Sequence, residues 1–599
     1  MAVVTTSKKA CSVNPLKMSQ PIGGSFAFLG LRGAMPLLHG PQGCTSFGLT
    51  LFVRHFNEAV PMQTTAMSEV ATVLGGHENL EQAILNIYNR LEPEIIGINS
   101  TGVTETNGDD VEAFIRLIRQ KHPKLEKLPL VYVSTPDFKD AFQDGWGKTV
   151  ARMIEMLVAP VDTARPRDIS RVNVLPGCHL TPGDLDELRT IFEDFGLKPS
   201  FLPDVAGSLD GHIPDEFTPT TIGGIGVDEI ATMGQAAWTI AIGAQMRRAA
   251  EAMQVRTGAP FRLFERLCGL IPNDEFIAFL SQISGRSVPW KYRRQRGQLA
   301  DAMLDAHFHI GGRKLAIGAE PDLLFDLSSL LHEMGAQVSA AVTTTNSPVL
   351  QRVRTEDVLI GDLEDLEELA RSRDCDLLMS HSHGRQAASR LNVPFFRVGF
   401  PMFDRLGAAH LTMVGYRGTR DLIFDIANLI ITDREANHGP TPDTWRSSCG
   451  GPQVHPPSCI EQGEKTTRMK VAFATQDLKH VDAHFGWAKN IVIYEVGPDG
   501  HRFIEAIQFD GDLTEDGNED KLAPKIEAIR ECAILYVAAI GGSGAARVVA
   551  RNIHPMKVLQ PEPIHDLCVK LETVLKGSPP PWLRKLLTKS RERTVDFEA

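Results

Sequence analysis

"ENLEQAILNIYNRLEPEIIGINSTGVTETNGDDVEAFIRLIRQ", residues 78 to 120, holds one full turn of the architecture. Leu80, Ala83, Ile84, Ile87 and Tyr88 recur at three- and four-residue steps, which predicts an amphipathic helix over 78–90. The helix runs into "PEIIGINST", a short β-branched apolar run that ends in small polar residues. "DDVEAFIRLIRQ" follows, with Val111, Phe114, Ile115 and Ile118 at helical spacing behind acidic residues that suit a helix N-terminus. "LPLVYVST" then reads as the next strand. Buried apolar strands alternating with amphipathic helices are the pattern of a parallel sheet covered on both faces.

Outward from this stretch the alternation returns at "RVNVLPG", at "KLAIGAEPDLLFDLSSLLHEMGAQVSAAV", and at "DCDLLMSHSHG" with "VPFFRVGF". The expected fold class is α/β, with three Rossmann-like parallel-sheet units in a first domain over residues 1–436. In such sheets ligands sit at the carboxyl ends of the strands, so the loops at 99–107, 134–136 and 380–384 are the ones to watch. From 437 to 468 the chain turns rich in Pro, Gly and Ser without apolar periodicity and reads as a flexible linker. "MKVAFATQD" opens a second, small α/β domain over 469–577, of a size that folds alone. Residues 578–599 form a proline-led polar tail.

The 599 residues exceed what a single core supports. The net charge of −12, with no basic run, argues against nucleic acid. No signal peptide or membrane-length apolar stretch is present, so a cytoplasmic location is expected, away from membranes. Nine scattered cysteines suit reduced thiols rather than a disulfide framework.

Single cysteines on loops therefore merit weighing. In "HGPQGCTSFG", residues 39 to 48, Cys44 lies on a turn whose glycines and proline hold backbone amides near the sulfur, a setting that stabilises a thiolate. One thiolate cannot hold a cubane, and no other cysteine lies in a matching nearby loop. Cys268, in the apparently helical "FRLFERLCGL", reads as core, and Cys11 as part of a mobile N-terminus. Cys178 and His179 end a strand where they can face a cleft, but adjacent residues point apart, so the pair reads as non-ligating. Cys449 and Cys459, with His438 and His455, read as linker residues rather than a metal clip. His381 and His383 read as the cap of the following helix rather than as ligands. No acid–base pair, nucleophile triad or Walker lysine emerges, which suits a scaffold without an autonomous catalytic site.

"VNPLKMSQPIGGSFAFLGLRGAMPLLHGPQGC", "RHFNEAVPMQTTAMSEVATVLGG", "INSTGVTETNGDD" and "RVGFPMFDRLGAAHLTMVGYRG" together resemble, in order, the signature segments of the β-type subunits of nitrogenase component I. In that family three of these segments each carry a cysteine ligand of the eight-iron P-cluster. This chain has Ser19 and Gly102 at two of those positions and keeps only Cys44, so the resemblance implies that a full P-cluster cannot form. It points instead to the scaffold branch of the family, the NifN type. There the resemblance implies a heterotetramer with a NifE-type subunit and a [4Fe–4S] cluster shared with that partner, Cys44 being the fourth ligand. Ser19 is expected to bond backbone rather than metal.

In the second domain, "MKVAFATQD", "VDAHFGWAKN" and "AIGGSGAARVV" resemble the NifX-like dinitrogenase cofactor-binding family, which implies a ribonuclease-H-like α/β fold without the nuclease carboxylates. His484 is the implied cluster ligand. Gly541, Gly542, Ser543 and Gly544 join a strand to a helix and offer amides at its positive end, either as a cradle for an anionic cluster or as a tight turn. The function these resemblances imply is maturation of the iron–molybdenum cofactor precursor, held transiently, on a NifEN-type scaffold with a fused carrier. The implied partners are the iron protein as electron donor, NifB as precursor donor and catalytic component I as recipient. The other two readings are a catalytic β subunit of a nitrogenase-like reductase, and an iron–sulfur cofactor carrier or storage protein.

Overall fold

The computed structural model describes residues 1–9, 11–160, 167–214, 216–438, 468–509, 523–551, 553–558 and 560–576. The chain separates into two compact units.

The first unit is built on three parallel sheets. One runs Gln63–Thr64, Ala34–His39, Ile95–Ser100, Leu130–Val133. The second runs Lys198–Phe201, Asp168–Leu175, Ala236–Ile242, Phe261–Phe264. The third, of six strands, is centred on Gln337–Thr343 and Lys314–Ala319 and ends in Phe395–Arg397. The helices His77–Leu91 and Val111–Lys121 flank the strand Ile95–Ser100, which is buried along its whole length. Both helices pack on one face with Ile96 and Ile98, while Gln20–Leu29 and Phe142–Leu157 cover the other with Ile95 and Val131, so the sheet is doubly covered, though not by the two helices of residues 78 to 120 alone.

Close helix packing fixes the centre of this unit. A Cβ at Gly23 would lie 1.9 Å from the Phe142 carbonyl oxygen, and one at Gly145 2.1 Å from that of Gln20. Only bare glycines let the helices Gln20–Leu29 and Phe142–Leu157 approach so closely. Phe26 then reaches an aromatic cluster, its ring centroid 4.9 Å from Trp146 and 5.8 Å from both Phe52 and Phe142.

Two expectations are corrected. The N-terminus is held: Val3–Thr6 adds a parallel edge strand to Asp357–Ile360, and Lys9 pairs with Asp362, Glu364 and Asp365. Its "VVTT" is β-branched and suits an edge; Cys11, beyond it, is exposed. Cys268 is fully buried, as read, but "FRLF" is the strand Phe261–Phe264 rather than helix. A four-residue apolar run has no period of its own, and pairing with Thr239–Ile242 decides it.

The second unit holds a mixed five-stranded sheet in the order Gly500–Gln508, Asn490–Gly497, Met469–Thr475, Ile534–Val537, His554–Lys557. The first two pairings are antiparallel and the last two parallel. Along the central strand Val471 and Phe473 face one core with Leu567, Cys568 and Leu571 of the helix Ile564–Lys576, while Ala472 and Ala474 face another with Ile526 and Val548. The period-two alternation thus gives this sheet two buried faces.

The helix Gly415–His438 carries the first unit to the edge of the described residues. Cys449, Cys459 and His455, most of the expected linker, and the tail lie outside them.

Candidate functional site

Cys44 lies in the first turn of the helix Gln42–Phe56 rather than on an open turn, because the strand Ala34–His39 passes through only Gly40 and Pro41 before the helix begins. Pro41 at the cap needs no amide hydrogen of its own, which lets the helix start at once. The Cys44 amide donates to the Pro41 carbonyl at 3.3 Å. His39, fully buried with Nδ1 3.1 Å from the Thr65 hydroxyl, is pushed down to about 4 by burial and stays neutral.

The other two segments singled out from the sequence converge on the same corner, at the carboxyl ends of the first sheet's strands. A Cβ at Gly40 would meet the Thr101 hydroxyl at 2.2 Å, and Thr101 Oγ1 donates to the His39 carbonyl at 3.0 Å. Gly102 opens the next helix, and a Cβ there would fall 2.0 Å from Asp137 Oδ1. The Asp137 carboxylate thus fills the space that a side chain at 102 would need. Ser19 stands at the N-cap of Gln20–Leu29, yet its hydroxyl makes no cap bond. Pro21, two residues on, lacks the amide that such a cap would use. Gln20 instead ties the corner together, donating through Nε2 to the carbonyls of Pro136 (2.9 Å) and Lys139 (2.7 Å).

The electrostatics of Cys44 differ from the expectation. Its thiol is pushed up, first by burial and then by the Asp137 carboxylate, and its own amide only partly offsets this. Asp137 lies one residue beyond the loop flagged at 134–136. No sequence signal marks it, since its role depends on packing against a glycine from another strand end.

A cavity of about 300 Å³ opens where the three sheets meet, its lining including Phe26, His55, Cys178, His179 and Glu320. Cys178 and His179 both line it. The His179 imidazole sits in room left by Gly177 and Gly243, with neither ring nitrogen hydrogen-bonded. Burial pushes His179 down to about 4, the Cys178 thiol well up, and Glu320 up to about 8, so all three are neutral near pH 7. His381 does act as a cap: Nε2 donates to the Leu16 carbonyl at 3.0 Å and Nδ1 accepts from the His383 amide at 3.4 Å. The His383 ring packs on Phe403.

In the second unit the strand-end loops bring His484 beside the glycine segment. His484 bridges to Ala539, and the Phe485 amide donates to the Ala539 carbonyl at 2.8 Å. Gly541 caps the helix Gly542–Ala550, whose first turn holds Ser543 and Gly544, and a Cβ at Gly541 would meet nothing within 4 Å. His484 Nδ1 accepts from the Gly486 amide at 3.1 Å and its ring centroid lies 4.6 Å from that of Trp487, the planes tilted by 31°. A neutral ring held this way carries its proton on Nε2, so metal ligation at Nε2 requires a change of tautomer. Lys525, read only as part of a helix, is buried beneath this loop. Its Nζ donates to the carbonyls of Gly486 (2.7 Å) and Ala488 (2.9 Å), and burial lowers its pKa.

With these two sites in place, comparison with known proteins is informative. A family model described as "Nitrogenase component 1 type Oxidoreductase" matches residues 19–431, and one described as "Dinitrogenase iron-molybdenum cofactor" matches 467–573. The nitrogenase iron-molybdenum cofactor biosynthesis protein NifN of Bradyrhizobium diazoefficiens is 76% identical over 453 residues, covering 76% of this chain and 97% of that one. The chain belongs to the NifN family. The NifN of Mesorhizobium japonicum is 52% identical, covering 73% of this chain and 94% of its own length, and that of Klebsiella pneumoniae 38%, covering 73% and 94%. Among solved structures, "Nitrogenase Cp1 at pH 6.5" superposes with a TM-score of 0.68 at 30% identity, over 72% of this chain and 96% of that one. "Nitrogenase Cp1 at pH 5", with a TM-score of 0.54 at 14% identity over 74% and 92%, shares the fold. In this NifN-family chain the matched relatives account for about three quarters of the length, and the second family model falls on the C-terminal unit.

Proposed function

We propose that this chain is the β-type subunit of a NifEN-type scaffold on which the iron–molybdenum cofactor precursor is matured, with a carrier unit fused behind it. The observation that carries the reading is the Cys44 corner. Three strand-end segments meet there, and Asp137 closes the space at Gly102, so this chain offers one thiolate. A [4Fe–4S] cluster bound there would take Cys44 from this chain and its remaining ligands from a NifE-type partner, and would supply one-electron redox chemistry. The half-buried site at the positive end of a 15-residue helix fits an anionic group. With no cluster bound the thiol keeps its proton, which binding would displace.

The surface around the corner suits a partner. Phe47, one turn from Cys44, is 58% exposed, and Val70 and Val73 on the helix Glu69–Leu74 are 66% and 79% exposed. A NifE-type subunit covering this patch would also bring its thiolates to Cys44. As the family resemblance implies, the larger precursor would lie mainly within the NifE-type partner.

We divide the chain as residues 1–436 for the scaffold domain, 437–468 for the linker, 469–577 for the carrier and 578–599 for the tail. In the carrier, His484 and the amides of Gly541, Gly542, Ser543 and Gly544 form the receiving site. The working partners beyond NifE are the iron protein, NifB as donor and catalytic component I as recipient. The chain acts without a catalytic site of its own.

The test is iron content and reduced-state electron paramagnetic resonance on the anaerobic complex with its NifE-type partner. In Cys44→Ala, loss or strong alteration of the [4Fe–4S] signal while the subunits still co-purify is the expected result. An unchanged signal and iron content would make Cys44 structural and withdraw the cluster from this chain.

A further inference from the structure

The second unit holds a side-chain cluster away from His484. His501 starts the strand Gly500–Gln508 and shares a rung with Val496 and Met469, whereas His484 is bridged beyond the far end of the sheet. By register the two backbones are separated by roughly 20 Å along the strand direction. Across from His501 lies the helix Ile564–Lys576, on which His565 and Glu572 are seven residues, two turns, apart and therefore on one face. His565 Nδ1 is 3.2 Å from His501 Nε2, with ring centroids 5.0 Å apart at 62°. On its other side, His501 Nδ1 is hydrogen-bonded to Glu572 Oε1.

We propose that His501 and His565 form a clip for a divalent transition-metal ion, with Glu572 as the carboxylate that orients the inner ring. The His501 ring donates Nδ1–H to Glu572, which leaves Nε2 with its lone pair toward His565. A carboxylate on the far nitrogen is the usual support of a metal-bound imidazole, fixing its tautomer and raising its basicity. With metal–nitrogen bonds of about 2.0–2.1 Å, two nitrogens at this separation subtend roughly 100° at the ion, between the octahedral and tetrahedral angles. His565 is in the first turn of its helix.

Burial is graded across the cluster. The His501 and Glu572 side chains are 18% and 14% exposed, while His565 is open to solvent. The inner pair is largely buried, and the outer side leaves room for water to complete the coordination. Among the described residues no three His, Cys, Asp or Glu converge on one ion. The clip therefore supplies two nitrogens, and imidazole donors select Zn²⁺, Co²⁺ or Ni²⁺ over Mg²⁺ or Ca²⁺.

The experiment is anaerobic calorimetric titration of the full, chelator-treated chain with Zn²⁺, repeated on His565→Ala, Glu572→Gln and, as control, the exposed His332→Ala of the first unit. His565 is exposed, so its variant should fold; far-ultraviolet circular dichroism checks each protein. The expected result is that His565→Ala loses one equivalent of Zn²⁺ and His332→Ala keeps it. Glu572→Gln should retain that equivalent with affinity weakened about 10- to 100-fold. Unchanged stoichiometry and affinity in folded His565→Ala would overturn the site, and would leave the pair as a hydrogen-bonded relay only. Unchanged affinity in Glu572→Gln would overturn the role of the carboxylate.

Discussion

At the scale of single residues, buried neutral groups around the central cavity set the chain's response to pH. Burial pushes Glu320 up to about 8, well above the 4.5 of a free carboxyl. Between those values the unfolded chain has released a proton that the folded chain retains, so folding stability falls as pH rises. The slope from one such group reaches up to about 1.4 kcal/mol per pH unit. Asp326, raised to about 7 by burial, acts in the same sense. His55 and His179, lowered to about 4, act in the opposite sense, their contribution being lost as pH falls below the ordinary histidine range. Above pH 6.5 the carboxyls dominate. Urea midpoints should fall between pH 6.5 and 8.5, and Glu320→Gln, a neutral isostere, should flatten that decline while changing little at pH 5. Equal slopes in the two proteins would mean that Glu320 is ionised in the fold. The same scale shows where sequence reading stops. The end of the strand before Cys44 was legible because its glycines and proline are local, but the helix that holds Cys44 and the raised pKa of its thiol were not. Asp137 and Lys525 were not, because what they do is set by a glycine and by loop carbonyls far away in the chain.

Elements were legible in proportion to the length of their periodic pattern. The helices His77–Leu91 and Val111–Lys121 carry two or more turns of apolar repeat and came out close to the expected bounds. "FRLF" and "VVTT" are too short to show a period, and their partners in the sheets decided them. The helix Gln42–Phe56 adds a different lesson. Its inner face, with Leu51, Phe52 and Phe56, is buried, while Phe47 points outward beside Cys44. A large aromatic left exposed one turn from the proposed ligand is what an interface anchor looks like before its partner arrives. Phe47→Asp should therefore weaken association with the NifE-type subunit by about 30-fold or more, the cost of an anchor worth ~2 kcal/mol. Co-purification at graded dilution reads this directly, with the helicity of the isolated chain as the control for folding. Association unchanged by the substitution would move the interface away from this helix and remove the partner's thiolates from reach of Cys44.

At the scale of the molecule, the chain separates after Ser448, about twelve residues beyond the boundary expected from composition, and the described residues of the two units have separate cores. One is organised around the cluster containing Phe26 and Trp146, the other around the two faces of the strand Met469–Thr475. Each of the second unit's faces is closed by its own helices. Expressed apart, residues 1–438 and 468–576 should each unfold cooperatively, with transitions that together reproduce those of the full chain. What the fusion adds is then proximity. On the proposed division of the chain, a linker of about thirty residues would hold the carrier near the scaffold at an effective concentration on the order of mM, far above that of a free protein in dilute solution. Cluster transfer from the carrier unit to the scaffold complex should therefore be independent of concentration in the intact chain. With the units mixed as separate chains it should become second-order and slow at sub-micromolar concentration. The rate of appearance of the transferred cluster, followed spectroscopically over a hundredfold dilution, distinguishes the two. Equal rates for tethered and separated units at the lowest concentration would mean that the carrier docks tightly by itself, and that the connection between the units does not govern hand-over.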